Sequence, residues 1–275
     1  MDTVRLSVLL IFTLLLSIMT NLNAAPEKEV YVSIDTGYGK MKVRLYNDTP
    51  LHRDNFLRAI KDGAYDGVLF HRVIRDFMIQ GGDPSTMKDS LKAKEFATRY
   101  DYRVEPEFVY PTHFHKKGVL AAAREADEVN PTKASSSTQF YIVTGKLFNG
   151  PGLDMIEKQR YEKLLQSILV RLQTENREKV KELYRSGNRS QLSALRDSLV
   201  EQAEKEADSL KEKALLTKEQ RDAYRTVGGT PHLDGEYTVF GEVVEGMEVL
   251  DKIQKTATDP ADRPKSEIRF KIEIL

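Results

Sequence analysis

The chain has 275 residues with no cysteine and no tryptophan, and its 42 Lys and Arg balance its 42 Asp and Glu. A neutral chain of this length can bury a sizeable core, as one large domain or a domain with an insertion, and it has no global field to recruit nucleic acid or an anionic membrane. The absence of cysteine excludes disulfide chemistry and, after the first apolar run, a lipid anchor on that residue.

Arg5 precedes an apolar run over residues 6–19, and Leu22-Asn23-Ala24 supplies a cleavage end. The run is long enough for a signal-peptide core and short for a membrane span, so residues 1–24 read as a leader cut after Ala24, with an uncleaved anchor as the alternative. The mature protein is then expected in the bacterial periplasm or outside the cell, with no membrane association after cleavage.

Val30, Val32 and Ile34 alternate, Gly37-Tyr38-Gly39 turns the chain, and Met41, Val43 and Leu45 resume the alternation. This is a β-hairpin with one buried face. Asp48-Thr49-Pro50 then starts a helix whose face carries Phe56, Leu57 and Ile60, and Gly63 ends it. His52 on that helix reads as a satisfied surface residue.

Residues 70–83 read as two short strands joined at Arg75-Asp76 and stopped by Gly81-Gly82. Arg72 and Gln80 sit among apolar neighbours, where a guanidinium and an amide are awkward to bury without a partner or ligand. This stretch is therefore the foremost candidate site.

Residues 84–103 read as a polar surface loop, with one helical turn at most, and 104–109 as an edge strand containing Pro106. His113 and His115 alternate on an extended segment, but no third ligand completes a metal spacing, and no metal site is assigned. Residues 118–124 form a short buried strand of small side chains with Arg124 at its rim, and 138–143 another strand after a polar loop.

Between residues 153 and 227 glycine and proline almost vanish, which marks a helical block. A first helix runs from Ile156 through Leu183 to a stop at Ser186-Gly187-Asn188, and a second carries Leu192, Leu195, Leu199 and Ala203, so the two can zip as an antiparallel hairpin. A third helix starts at Thr217 with Gln220 completing a capping box. A turn at residues 232–235, a strand over 237–241, a helix over 244–253 and a terminal strand through Ile268, Phe270, Ile272 and Ile274 follow. A mainly β fold with an inserted helical arm is the expectation.

Phe70-His71-Arg72-Val73-Ile74 followed by Phe77-Met78-Ile79-Gln80-Gly81-Gly82-Asp83 resembles the signature of the cyclophilin family of peptidyl-prolyl cis-trans isomerases. Tyr65-Asp66-Gly67, Gly118-Val119-Leu120-Ala121, Gln139-Phe140-Tyr141-Ile142 and Leu233-Asp234-Gly235 are similar to family segments in family order. The resemblance implies a closed eight-stranded antiparallel barrel capped by helices, with a groove on its outer face. It divides the chain into a leader (1–24), a first barrel part (29–146), an inserted helical arm (147–228) and a last barrel part (229–275).

Arg72 and Gln80 resemble the catalytic residues, and Phe77, Met78, Tyr141 and Leu233 the proline pocket. Ala123, Arg124, Gln139, His232 and Tyr237 match positions that line the peptide groove. The resemblance implies no metal and no cofactor, and as partners proline-containing stretches of exported proteins. Many family members carry tryptophan where His232 stands, phenylalanine where Tyr141 stands and histidine where Tyr237 stands, so cyclosporin-type binding, which leans on that tryptophan, is not expected. The arm leaves a second reading open, a chaperone or binding module with weak turnover, and Tyr161, Leu165 and Leu169 on it are candidates for a homodimer seam or client cradle.

Overall fold

The computed structural model describes residues 28–275, so the leader expected over residues 1–24 lies outside the described residues. Strands β1 (Val30–Thr36), β2 (Gly39–Leu45), β3 (Val68–Ile74) and β4 (Met78–Gly81) precede a two-residue pair, β5 (Arg103–Val104) and β7 (Ser135–Ser136), that forms its own small sheet. With β6 (Val119–Ala122), β8 (Phe140–Val143), β9 (Val239–Glu245) and β10 (Arg269–Ile274), the first four close an eight-stranded barrel in the order β1-β10-β3-β4-β8-β6-β9-β2. Closure leaves no barrel edge open to pairing with another chain.

The expected alternation builds the interior. Val32, Ile34, Met41 and Val43 are fully buried, and Phe70, Phe140 and Phe270 meet between β3, β8 and β10 with ring centroids 4.5–6.2 Å apart. Each such side chain contributes about 1.5–3 kcal/mol by leaving water. Helix α1 (Pro50–Asp62) adds Phe56 and Ala59 to this core.

One irregularity decides what faces outward. Phe70 pairs with Gly81 and Arg72 with Gln80, so β3 spends two residues where β4 spends one. The extra residue is a β-bulge at His71, and it flips the inward phase from Phe70 to Val73, which are both buried. Arg72 would point into the core in a regular strand; here it points out.

Residues 84–103 depart from the expected loop. They hold a 3-10 turn and the ten-residue helix α2 (Ser90–Arg99), because the Asp89 carboxylate accepts from the backbone N–H of Leu91 and Lys92 and Phe96 anchors the helix in the core. The strand expected over 104–109 ends at Val104, just before Pro106 two residues on. Likewise β9 runs on to Glu245, and Gly246, at φ 88°, separates it from helix α7 (Met247–Ile253), expected to begin at residue 244.

The helical block begins at Gly150, capped by the Asn149 side chain, and its first long helix breaks where continuity was expected. Helix α3 (Gly150–Glu175) ends at Asn176, whose side-chain Nδ2 donates to the Leu172 carbonyl, and α4 (Arg177–Arg185) follows. Helix α5 (Arg189–Ser209) folds back on α3, burying Ile168, Leu172, Leu199, Ala203 and Ala207 between them. Tyr161, Leu165 and Leu169 pack against this same cluster, so the hairpin uses them internally. Helix α6 (Lys218–Thr226) carries the expected capping box of Thr217 and Gln220.

Candidate active site

On the outer wall, β3, β4, β6 and β8 place their outward side chains side by side. Arg72 stands opposite Gln80, Gln80 opposite Tyr141, and Tyr141 opposite Ala121. Residues opposed on one face of antiparallel strands bring their side chains together. Arg72, Phe77, Met78 and Gln80 from the β3–β4 hairpin thus share a cavity of about 180 Å³ with Ala123, Arg124 and Tyr141 from the β6 and β8 side and Leu233 and Tyr237 from the turn before β9.

Nine of the eleven expected site residues line this cavity, and the other two flank it. His232 stacks on Phe77 with centroids 5.6 Å apart and planes 20° from parallel. Gln139 accepts a hydrogen bond from Gln80 Nε2 at 3.0 Å and lines a neighbouring cavity of about 380 Å³ that shares Gln80, Ala123 and Arg124.

Arg72 is the accessible cation of the main cavity, with its side chain 45% exposed. Its described hydrogen bond uses Nε, which donates to Asp262 at 3.4 Å. The remaining guanidinium donors are thereby available to a ligand, and Asp262 is a partner that no sequence signal indicated.

Arg124 differs from expectation. Its side chain is 4% exposed, its guanidinium lies 4.4 Å from the Tyr237 ring centroid, and Nε donates to the Glu236 carbonyl at 2.9 Å. It is a wall of the cavity held by stacking and hydrogen bonding, not a residue at its rim.

Beneath Tyr141 lies a buried polar layer missed in the sequence. The Tyr141 hydroxyl is 3.0 Å from His115 Nε2, and His115 Nδ1 is 3.1 Å from Asp234 Oδ1. A carboxylate accepts, so Nδ1 donates, and Nε2 is left facing the Tyr141 hydroxyl and its proton. Burial raises the Tyr141 phenol well above its ordinary value, which keeps that proton in place.

The three histidines weighed earlier are therefore structural. His115 belongs to this layer, His113 stacks on Tyr46 and bonds Asp48, and His52 bonds Glu107 and Ser135 while 3% exposed, buried instead of on the surface. No cluster of three metal-ligating side chains occurs among the described residues.

An antiparallel eight-stranded barrel bearing an arginine-edged apolar cavity on its outer wall defines a cyclophilin-like protein. The family model of the cyclophilin-type peptidyl-prolyl cis-trans isomerases matches residues 31–158 and 220–273. The chain belongs to that family and is a peptidyl-prolyl cis-trans isomerase.

Relatives agree. A protein of Staphylococcus aureus (strain USA300) named for the same activity is 29% identical over 237 residues, covering 86% of this chain and 86% of its own. One of Staphylococcus saprophyticus with that name is 28% identical over 252 residues, covering 90% and 92%. A longer Streptococcus pyogenes serotype M6 protein, named for a phosphatase and an isomerase together, is 28% identical over 243 residues, covering 86% of this chain and 37% of its own. In structure, a cyclophilin of Cryptosporidium parvum superposes with TM-score 0.51 at 20% identity, covering 90% of this chain and 98% of its own, which supports the fold. The same protein has also been crystallised in the presence of the dipeptide Ala-Pro.

Proposed function

We propose that Arg72 is the catalytic residue of this isomerase, with Gln80 beside it, and that Phe77, Met78, Tyr141 and Leu233 hold the proline ring. The observation that carries this reading is the placement of one accessible guanidinium and an apolar floor in a single cavity of about 180 Å³.

Amide resonance sets a barrier of about 18–20 kcal/mol to rotation about X-Pro, and unassisted exchange takes roughly tens to hundreds of seconds. At the top of the barrier the amide is twisted, its nitrogen regains a lone pair, and resonance is lost. A guanidinium donating to that nitrogen or to a neighbouring carbonyl stabilises the twisted state more than the planar one. The ring stays in the apolar floor while the chain on its other side turns. Gln80, oriented by its bond to Gln139, and the stacked Arg124 and Tyr237 line the path of the peptide backbone.

The substrates in this reading are proline-containing segments of exported proteins during folding. The apolar run over residues 6–19 and the cleavage end at Ala24 support export to the periplasm or beyond. Refolding of a disulfide-free exported protein limited by proline isomerisation tests it. The wild type should accelerate the slow phase and Arg72→Ala should not; a slow phase untouched by the wild type would contradict it.

A second reading, in which the arm binds clients or a second copy of the chain, is favoured by Val170, Val200 and Tyr184, which remain 50%, 43% and 76% exposed on the hairpin and α4. It is compatible with turnover at the cavity.

A further inference from the structure

The buried layer under Tyr141 continues into the helical arm. Asp234, whose carboxylate is 0% exposed, accepts the Tyr224 hydroxyl of α6 at 2.8 and 2.7 Å on its two oxygens and the backbone N–H of His115 at 2.8 Å. Arg160 of α3 brings Nη1 to 3.8 Å from Asp234 Oδ2, and its Nη2 donates to the Tyr110 hydroxyl at 2.6 Å while the guanidinium lies over the Tyr110 ring.

A carboxylate taken wholly out of water is stabilised only where hydrogen bonds and a countercharge replace hydration. Among the described residues Asp234 has the permanently charged Arg160 as its countercharge, and Arg160 falls in the stretch between the two segments that match the family model. One turn further along α3, Lys163 pairs with Glu236, whose carbonyl holds Arg124 in the cavity wall. The arm thus reaches the cavity along one buried line, through Asp234, and one at the surface, through Glu236.

We propose that Tyr224 and Arg160 are positioning residues for the isomerase site: they fix the Asp234 carboxylate, Asp234 fixes the His115 ring, and His115 fixes the Tyr141 ring in the floor of the proline pocket. The helical arm is then part of the catalytic unit at its base. This inference rests on the reading of the cavity as the proline pocket.

Tyr224→Phe isolates the chain of contacts, since it deletes the hydroxyl but keeps the ring packed on Phe114 and Phe148. Arg160→Gln removes the countercharge and serves as the second variant should the first not fold. In full-length protein labelled with 3-fluorotyrosine, the ¹⁹F resonance of Tyr141 is assigned by its loss in Tyr141→Phe. The expected result is a shifted or broadened Tyr141 resonance, and kcat/KM on an Ala-Pro peptide lowered about five- to tenfold in a protein that still unfolds cooperatively.

Arg72→Ala runs alongside as the control for the pocket itself. A loss of turnover in that control, with the Tyr224→Phe resonance and kcat/KM both unchanged, overturns the positioning role. If Arg72→Ala leaves turnover intact, the pocket reading fails instead, and the Tyr141 resonance alone decides the coupling: a shift upholds it and an unmoved signal overturns it.

Discussion

Arg72 and Gln80 face each other across β3 and β4 on the outside of the barrel, and they do so because β3 carries one extra residue at His71. The bulge sets the core-facing Phe70 and the outward Arg72 two positions apart on opposite faces, which a regular strand cannot do. Fold and site are joined at that residue.

The hydroxyl of Tyr141 is a structural group in a buried pair with His115. Tyr141→Phe leaves His115 Nε2 without its partner and should lower stability by about 1–3 kcal/mol. Urea unfolding reads this as a lower midpoint at unchanged slope. An unaltered midpoint would show that the buried imidazole finds another partner.

Acid should destabilise the protein from the histidine range downward. Burial holds His52 below the ordinary value of 6.5, outweighing the opposing pull of Glu107, and burial likewise lowers His71 and His232. Above pH 6.5 these groups are neutral both folded and unfolded; as pH falls below it the unfolded chain takes up the proton first, so this stability is lost as pH drops through the lowered folded values. Thermal unfolding should show a melting temperature falling as the pH drops below 6.5, and less steeply in His52→Gln. A melting temperature that rises over this interval contradicts the assignment.

The arm separates into a base and a distal hairpin. Replacing residues 167–207 with a short Gly-Ser turn keeps Arg160, Lys163 and Tyr224, and peptide turnover should stay within about twofold of wild type because the deleted part lies away from the cavity. Loss of protection for an aggregating client in the same variant would support a client-binding role for the hairpin, and unchanged protection would oppose it.

Gly82 adopts φ +88° at the end of the signature stretch, and a Cβ there would lie 2.3 Å from the Thr138 carbonyl oxygen. Gly82→Ala should cost upward of about 2 kcal/mol, from left-handed strain and the forced shift of Thr138. Equilibrium unfolding measures it; a loss below half a unit of that scale would mean that the β4 end moves freely.

Much of this was legible in the chain. The strands through Val32, Met41, Phe270 and Ile272 alternate with one wetted and one buried face, and helix α6 announces itself through Thr217 and Gln220. The cavity residues were legible because they lie in short family segments. Helix α2 was hidden because a single deep anchor, Phe96, leaves little periodicity. The break at Asn176 was hidden because apolar residues continue on both sides of it. The pairing of Arg72 with Asp262, and the chain of bonds from Tyr141 to His115, from His115 to Asp234 and from Asp234 to Tyr224, join side chains with no local pattern to mark them.

The central claim is that the Arg72 guanidinium stabilises the twisted X-Pro amide. Turnover of an Ala-Pro peptide by wild type and Arg72→Ala, followed by protease-coupled or NMR exchange measurements, tests it most directly. A loss of roughly two to three orders of magnitude in kcat/KM, about 3–4 kcal/mol, in a variant with an unchanged fold is the predicted result. Equal rates for the two proteins would contradict it.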